Sequence, residues 1–129
     1  MPDGRRLLAI HVAPGLDDGA GLTDNELSAQ VAAADAELVC VGHSQWPFDR
    51  RVDGIRVINT GSVSNPLAMD LRASYATIDS SPSRLAVEHY RVAYNVQAVI
   101  EAIQRSRHPA GDFIISHFRG ERFPAWAKP

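Results

Sequence analysis

The sequence predicts a mixed α/β (α+β) domain, and three observations lead there. An apolar run, a helical pattern and a second apolar run follow one another within the first 42 residues, the signature of a βαβ unit. Two β-rich stretches joined by Asp53-Gly54 then read as a hairpin, followed by two more strand patterns. The chain closes on helical periodicity. The expected organisation is one domain, with residues 1–47 forming the βαβ unit and its loops, 48–93 a β-hairpin and meander, and 94–120 C-terminal helices.

The first strand is "RRLLAIHV", Arg5–Val12, which ends at "APG". The polar loop "GLDDGAGL" leads to Thr23, with Glu26 three residues later, the spacing of a capping box. Leu27, Val31 and Ala34 share one helical face, so the spacing predicts a helix over Asp24–Asp35. "AELVCVG" is the second strand. Because βαβ connections are right-handed and their strands parallel, both strands end on the same sheet edge. "RRVDGIRVIN" supplies the hairpin, and "ASYATID" and "RLAVEHYRV" a second antiparallel pair around "SSPS". Val96, Val99, Ile100 and Ile103 mark a helix stopping before Pro109, "GDFIISHFRGE" a last short helix, and "RFPAWAKP" a tail.

Composition narrows the function. The 129 residues are 45% hydrophobic and 22% charged with a net charge of −2, so no basic nucleic-acid footprint is visible. Lys128 is the only lysine. No stretch approaches the roughly 20 apolar residues that span a bilayer, and "MPDGRR" is not a signal peptide. Cys40 is the only cysteine; it allows no internal disulfide and sits in an apolar run as a buried, inert thiol. These features fit a cytoplasmic protein.

The sheet edge carries the candidate chemistry. His11 closes the first strand and His43 follows the second, and open α/β sheets place their sites at that edge. Gln45 lies two residues beyond His43, where an extended segment would turn both side chains to one cavity. Neutral imidazoles are common transition-metal ligands, but a divalent site wants three or four donors, usually with carboxylate. Two readings stand at this point: a metal pair, or strand-end histidines bonded to backbone. Asp17 and Asp18 follow in a Gly-rich loop and read as solvated acids rather than ligands. Ser44 makes a poor nucleophile for His43, Trp46 suits half-buried packing, and His89, His108 and His117 read as structural or surface residues.

The motifs "HVAP" (His11–Pro14), "GHSQWP" (Gly42–Pro47) and "NTGS" (Asn59–Ser62), in this order, resemble the "HGxP", "GHTHxP" and "NPGS" motifs of calcineurin-like metallophosphoesterases. The likeness is to the C-terminal half of the bacterial branch related to small phosphodiesterases, and it covers essentially the whole chain. It implies half of an α/β/β/α sandwich, and a fold whose full-length members hydrolyse phosphomonoesters or phosphodiesters with Mn²⁺, Zn²⁺ or Fe²⁺. In such sites two metals about 3.5–4 Å apart polarise the phosphoryl group and activate a water. The resemblance implies that His11 and His43 are ligands of the second metal. Gln45 takes the place of a first-metal histidine; its neutral amide oxygen serves Mg²⁺, Mn²⁺ or Ca²⁺ better than zinc. Asn59, Gly61 and Ser62 shape a supporting turn.

The sequence departs from the family by lacking DxH, an appropriately placed GD, and GNHD. Gly111–Asp112 falls in the C-terminal helical segment instead. No catalytic residue is therefore assigned, and this chain is expected to bind one metal weakly or none. A start directly on the family's central strand is expected of the second half of a longer domain. Three functions follow in order: the C-terminal half of a phosphoesterase, inactive by itself; a pseudo-enzyme scaffold, as one retromer subunit uses this fold; or a small-molecule binding domain. A missing half would leave a sheet open, which predicts a homodimer or a partner chain that covers it.

Overall fold

The computed structural model describes residues 1, 3–11, 19–67 and 70–123. Strand β1 (Leu7–Ile10) leads through helix α1 (Asp24–Val31) to β2 (Leu38–Val41), and the two strands pair in parallel. Strands β3 (Phe48–Val52) and β4 (Ile55–Asn59) form a hairpin, with β4 parallel to β2. The four-stranded order is β1-β2-β4-β3. Asp53 (φ 46°) and Gly54 (φ 82°) both take positive φ, the primed turn that matches strand twist and favours Asp-Gly.

Helix α1 begins as its sequence dictates. The Thr23 hydroxyl accepts from Glu26 N at 3.3 Å, and Glu26 Oε2 accepts from Thr23 N at 2.8 Å. It ends at Val31, a turn earlier than the Asp35 expected from periodicity. The chain has to return to the sheet: Ala34 N bonds Val31 O, and Glu37 N and Leu38 N reach Arg6 O. Leu27 and Val31 bury against Val39, Val41, Val52 and Val57 to make the main core on one face of the sheet.

The second hairpin does not extend this sheet. Strands β5 (Ala73–Ser81) and β6 (Arg84–Val92) pair in antiparallel fashion as a separate two-stranded sheet. It lies over the face opposite α1. Arg56 bridges the layers, gripping Asp49 within the first sheet (2.8 and 2.5 Å) and reaching Val87 O at 3.4 Å. Arg5 does the same at the far end, donating to Ser81 O (2.6 Å) and Arg84 O (2.9 Å). On this face Leu38 and Ile58 are fully buried.

Helices α2 (Val96–Ser106) and α3 (Gly111–Phe118) form a second small core around Ile100, Ile115 and Phe118. The Asn95 side chain caps α2 through Ala98 N at 3.0 Å, and Arg107 (φ 50°) ends it in the left-handed conformation. The tail from residue 124 and the acids Asp17 and Asp18 lie outside the described residues. Among the described residues no helix is long and apolar enough to cross a membrane.

His117 in α3 is buried, and among the described residues its Nδ1 has no hydrogen-bond partner. Burial, aided by the nearby Arg122 cation, holds its pKa below the ordinary 6.5. A depressed folded-state pKa means that protonation favours the unfolded chain. Stability is therefore fully present above pH about 6.5 and falls as pH drops below it toward the lower folded-state pKa. Thermal unfolding across this range should show the parent losing more stability on acidification than His117→Gln. Equal losses would show that His117 is not the group responsible.

Candidate functional site

The ends of the parallel strands bring His11 and His43 together. His43 Nδ1 lies 3.4 Å from His11 Nε2, and the rings meet nearly edge-on at 88° with centroids 5.4 Å apart. Both residues are exposed. The sheet sets this distance: Gly42 N donates to His11 O at 2.9 Å, continuing the β1–β2 ladder past its last pair. Gly42 also makes room, because a Cβ there would stand 3.2 Å from His11 Nδ1 and 3.3 Å from His11 O.

The loop after β2 is not the extended segment that the sequence suggests. His43 (φ 61°) and Gln45 (φ 58°) both sit in the left-handed region. Ser44 N turns back onto Gly42 O at 2.8 Å, which makes His43 the centre of a tight turn. The alternation rule that placed His43 and Gln45 side by side therefore does not apply here. Non-glycine residues in this region cost about 1–2 kcal/mol each, so neighbours must hold the loop.

Asn59 is the main such neighbour, and it is fully buried. Its Nδ2 donates to Gly42 O (2.9 Å) and Ser44 Oγ (3.1 Å), and its Oδ1 accepts from Gly61 N (2.8 Å). Ser44 Oγ is thus engaged by Asn59 rather than by His43. Gly61 (φ 80°) needs to be glycine twice over: a Cβ would also lie 2.9 Å from both Cβ and Oγ of Ser74. Ser62 Oγ accepts from Ser64 N (3.2 Å) and Asn65 N (2.8 Å), while Ser62 O accepts from Ser74 N. The turn 59–62 is thereby tied to β5 in the second sheet.

His89, read from sequence as structural or surface, reaches the same turn. Asn59 O lies 3.1 Å from its Nε2, and since a carbonyl can only accept, Nε2 carries the proton. Sequence reasoning had no signal for this, because the contact joins two separate sheets. Trp46 is half-buried. Cys40 is half-buried, and burial raises its thiol pKa. Among the described residues no group of three or more His, Cys, Asp or Glu side chains converges as a metal site.

No family model matches the sequence, and no curated protein matches it. Solved structures do share its shape. A hypothetical protein from Pyrococcus horikoshii OT3 matches with a TM-score of 0.71 and 20% identity, over 87% of this chain and 45% of that one. A metallophosphoesterase from Sphaerobacter thermophilus matches at 0.68 and 20% identity, over 88% and 54%. A conserved uncharacterized protein from Streptococcus pneumoniae TIGR4, a predicted phosphoesterase, matches at 0.51 and 21% identity, over 67% and 51%. The chain has a metallophosphoesterase-like fold and spans about half the length of these structures.

Asn59→Ala leaves Gly61 N without its acceptor, at about 1–3 kcal/mol, and takes one of two hydrogen bonds from Gly42 O, which keeps Ser44 N, at about 0.5–1.5 kcal/mol. Chemical denaturation should show a loss of roughly 2–4 kcal/mol, whereas Ser64→Ala, on the exposed side of the turn, should change stability by less than about 0.5 kcal/mol. Similar small losses for both would show that Asn59 does not organise the loop.

Proposed function

We propose that this chain is the histidine-bearing half of a metallophosphoesterase-type site, able to hold one divalent metal and unable to hydrolyse phosphoesters by itself. The observation that carries this reading is the 3.4 Å separation of His11 Nε2 and His43 Nδ1. Two nitrogens bound to one zinc at about 2.0–2.1 Å stand roughly 3.3–3.4 Å apart at the tetrahedral angle. The spacing therefore suits two ligands of one ion. The donor set is neutral, and the described residues add no cluster of carboxylates, so it does not suit the two-metal centre of a complete phosphoesterase.

In this reading His11 and His43 hold the metal, and Gln45 is the neutral-oxygen donor that the resemblance implies for a hard ion such as Mn²⁺, although strand alternation no longer sets it beside His43. Asn59, Gly61 and Ser62 keep the two loops in register. When bound, such a metal polarises a phosphoryl oxygen and lowers the pKa of a coordinated water. The carboxylates of a working centre would come from a further segment or partner chain, and the substrate would be a phosphomonoester or phosphodiester. Metal content of the Mn²⁺-reconstituted protein after gel filtration tests this. About one metal per chain, lost in His11→Ala and in His43→Ala, is the expected outcome. No metal above background in the parent would overturn it.

A scaffold role is favoured by a different observation. Leu7 on β1 and Ile78 on β5 stand on the two faces that turn toward each other, yet they are 37% and 39% exposed. β1 is also an edge strand of the first sheet. Such an uncovered seam suits a second copy of the chain or a cytoplasmic partner that completes the layers. Sedimentation over a concentration series should show self-association that Leu7→Glu weakens. A strictly monomeric parent would remove the homodimer.

A further inference from the structure

Arg91 occupies a place that the metal reading leaves unused. Strand β6 runs alongside β4 in the facing layer: Val87 O meets Arg56, and His89 meets Asn59 O at the strand's end. Arg91 is two residues further on, on the same side of β6 as His89, and so beyond the end of β4. Its cross-strand partner Ser74 fixes that position independently. Ser74 Oγ donates to Thr60 O at 2.5 Å, and its N donates to Ser62 O at 2.9 Å. Arg91 thus stands at the sheet edge that carries His11 and His43.

There it lines a cleft of about 190 Å³ together with Pro47, Phe48, Asp49 and His89. Pro47 and Phe48 continue directly from the His43–Gln45 loop. The charges in the cleft do not cancel. Asp49 is held by both guanidinium arms of Arg56, which keep its carboxyl below the ordinary carboxylate range. Among the described residues Arg91 makes no ion pair within 4.0 Å; its charge acts on Asp70, which Arg72 already holds. His89 lines the cleft beside Arg91, with its Nε2 proton committed to Asn59 O. The cleft is below the roughly 300–1,000 Å³ of a whole small-molecule site, so it suits one group of a larger ligand.

We propose that the Arg91–His89 cleft is an oxyanion subsite, taking the second anionic group of a phosphoester that carries one besides the phosphoryl group to be hydrolysed. As a substrate subsite it rests on the phosphoesterase reading; as an oxyanion site it stands without any metal. Arginine suits this task because its planar fork meets phosphate or carboxylate through two parallel hydrogen bonds. A larger cavity of about 250 Å³ lies between α2 and α3.

The test uses inorganic phosphate as the probe, in metal-free buffer with chelator, so that failure of metal binding cannot mimic failure here. Titration should show saturable binding with a dissociation constant on the order of 1 mM. Arg91→Ala should weaken it by roughly tenfold or more and Arg91→Lys by less, while His11→Ala and His43→Ala leave it unchanged. The Arg91 side-chain N–H resonance of the unmodified protein should shift along the same curve, which keeps the test valid if a variant misfolds. Absence of saturable binding in the parent, an unshifted Arg91 resonance, or loss through His11→Ala in place of Arg91→Ala would each overturn the proposal.

Discussion

Asn59 holds the two layers and the site loop in one arrangement. Its side chain satisfies Gly42 O, Ser44 Oγ and Gly61 N, and its own carbonyl meets His89 from the second sheet. Being fully buried, it offers these groups no alternative in water. A left-handed turn at His43, a glycine corner at Gly61 and the contact between sheets are all costly alone. Through one amide they become mutually dependent.

That dependence explains why exposed histidines can be held in place. His11 and His43 follow short four-residue strands and would move freely if only the loop sequence governed them. The ladder contact from Gly42 N to His11 O fixes one side, and Asn59 fixes the other. Precision at this edge comes from backbone hydrogen bonds and one buried amide, with little help from side-chain packing around the rings. The chain, which spans about half the length of its structural neighbours, holds this pair through restraints local to β2, β4 and their loops.

The same layering gives the edge its uneven charge. Three acids beside the second sheet have an arginine close by: Asp3 with Arg5, Asp49 with Arg56, Asp70 with Arg72. These pairs stitch strand ends and leave Arg91 without an ion pair among the described residues. The metallophosphoesterase-like fold thus presents two histidines and, across the turn 59–62, one arginine, which are different chemistries on one rim.

Local patterns in the sequence determined much of this. The Thr23–Glu26 capping box, the Asp53-Gly54 turn, the parallel β1–β2 pair and the α2 stripe ending before Pro109 are short-range features whose physics acts within a few residues. Placing two histidines at strand ends followed from the handedness of βαβ connections. What lay beyond reach were long-range choices. Whether β5–β6 extended the first sheet or covered its face depended on Arg5 and Arg56 reaching carbonyls 29 to 79 residues away. The backbone of His43–Gln45 was set by Asn59, 14 or more residues downstream, against the local preference for extended geometry. The role of His89 and the position of Arg91 exist only once two sheets stack, because period-2 alternation tells which side of a strand a residue takes and not what lies opposite.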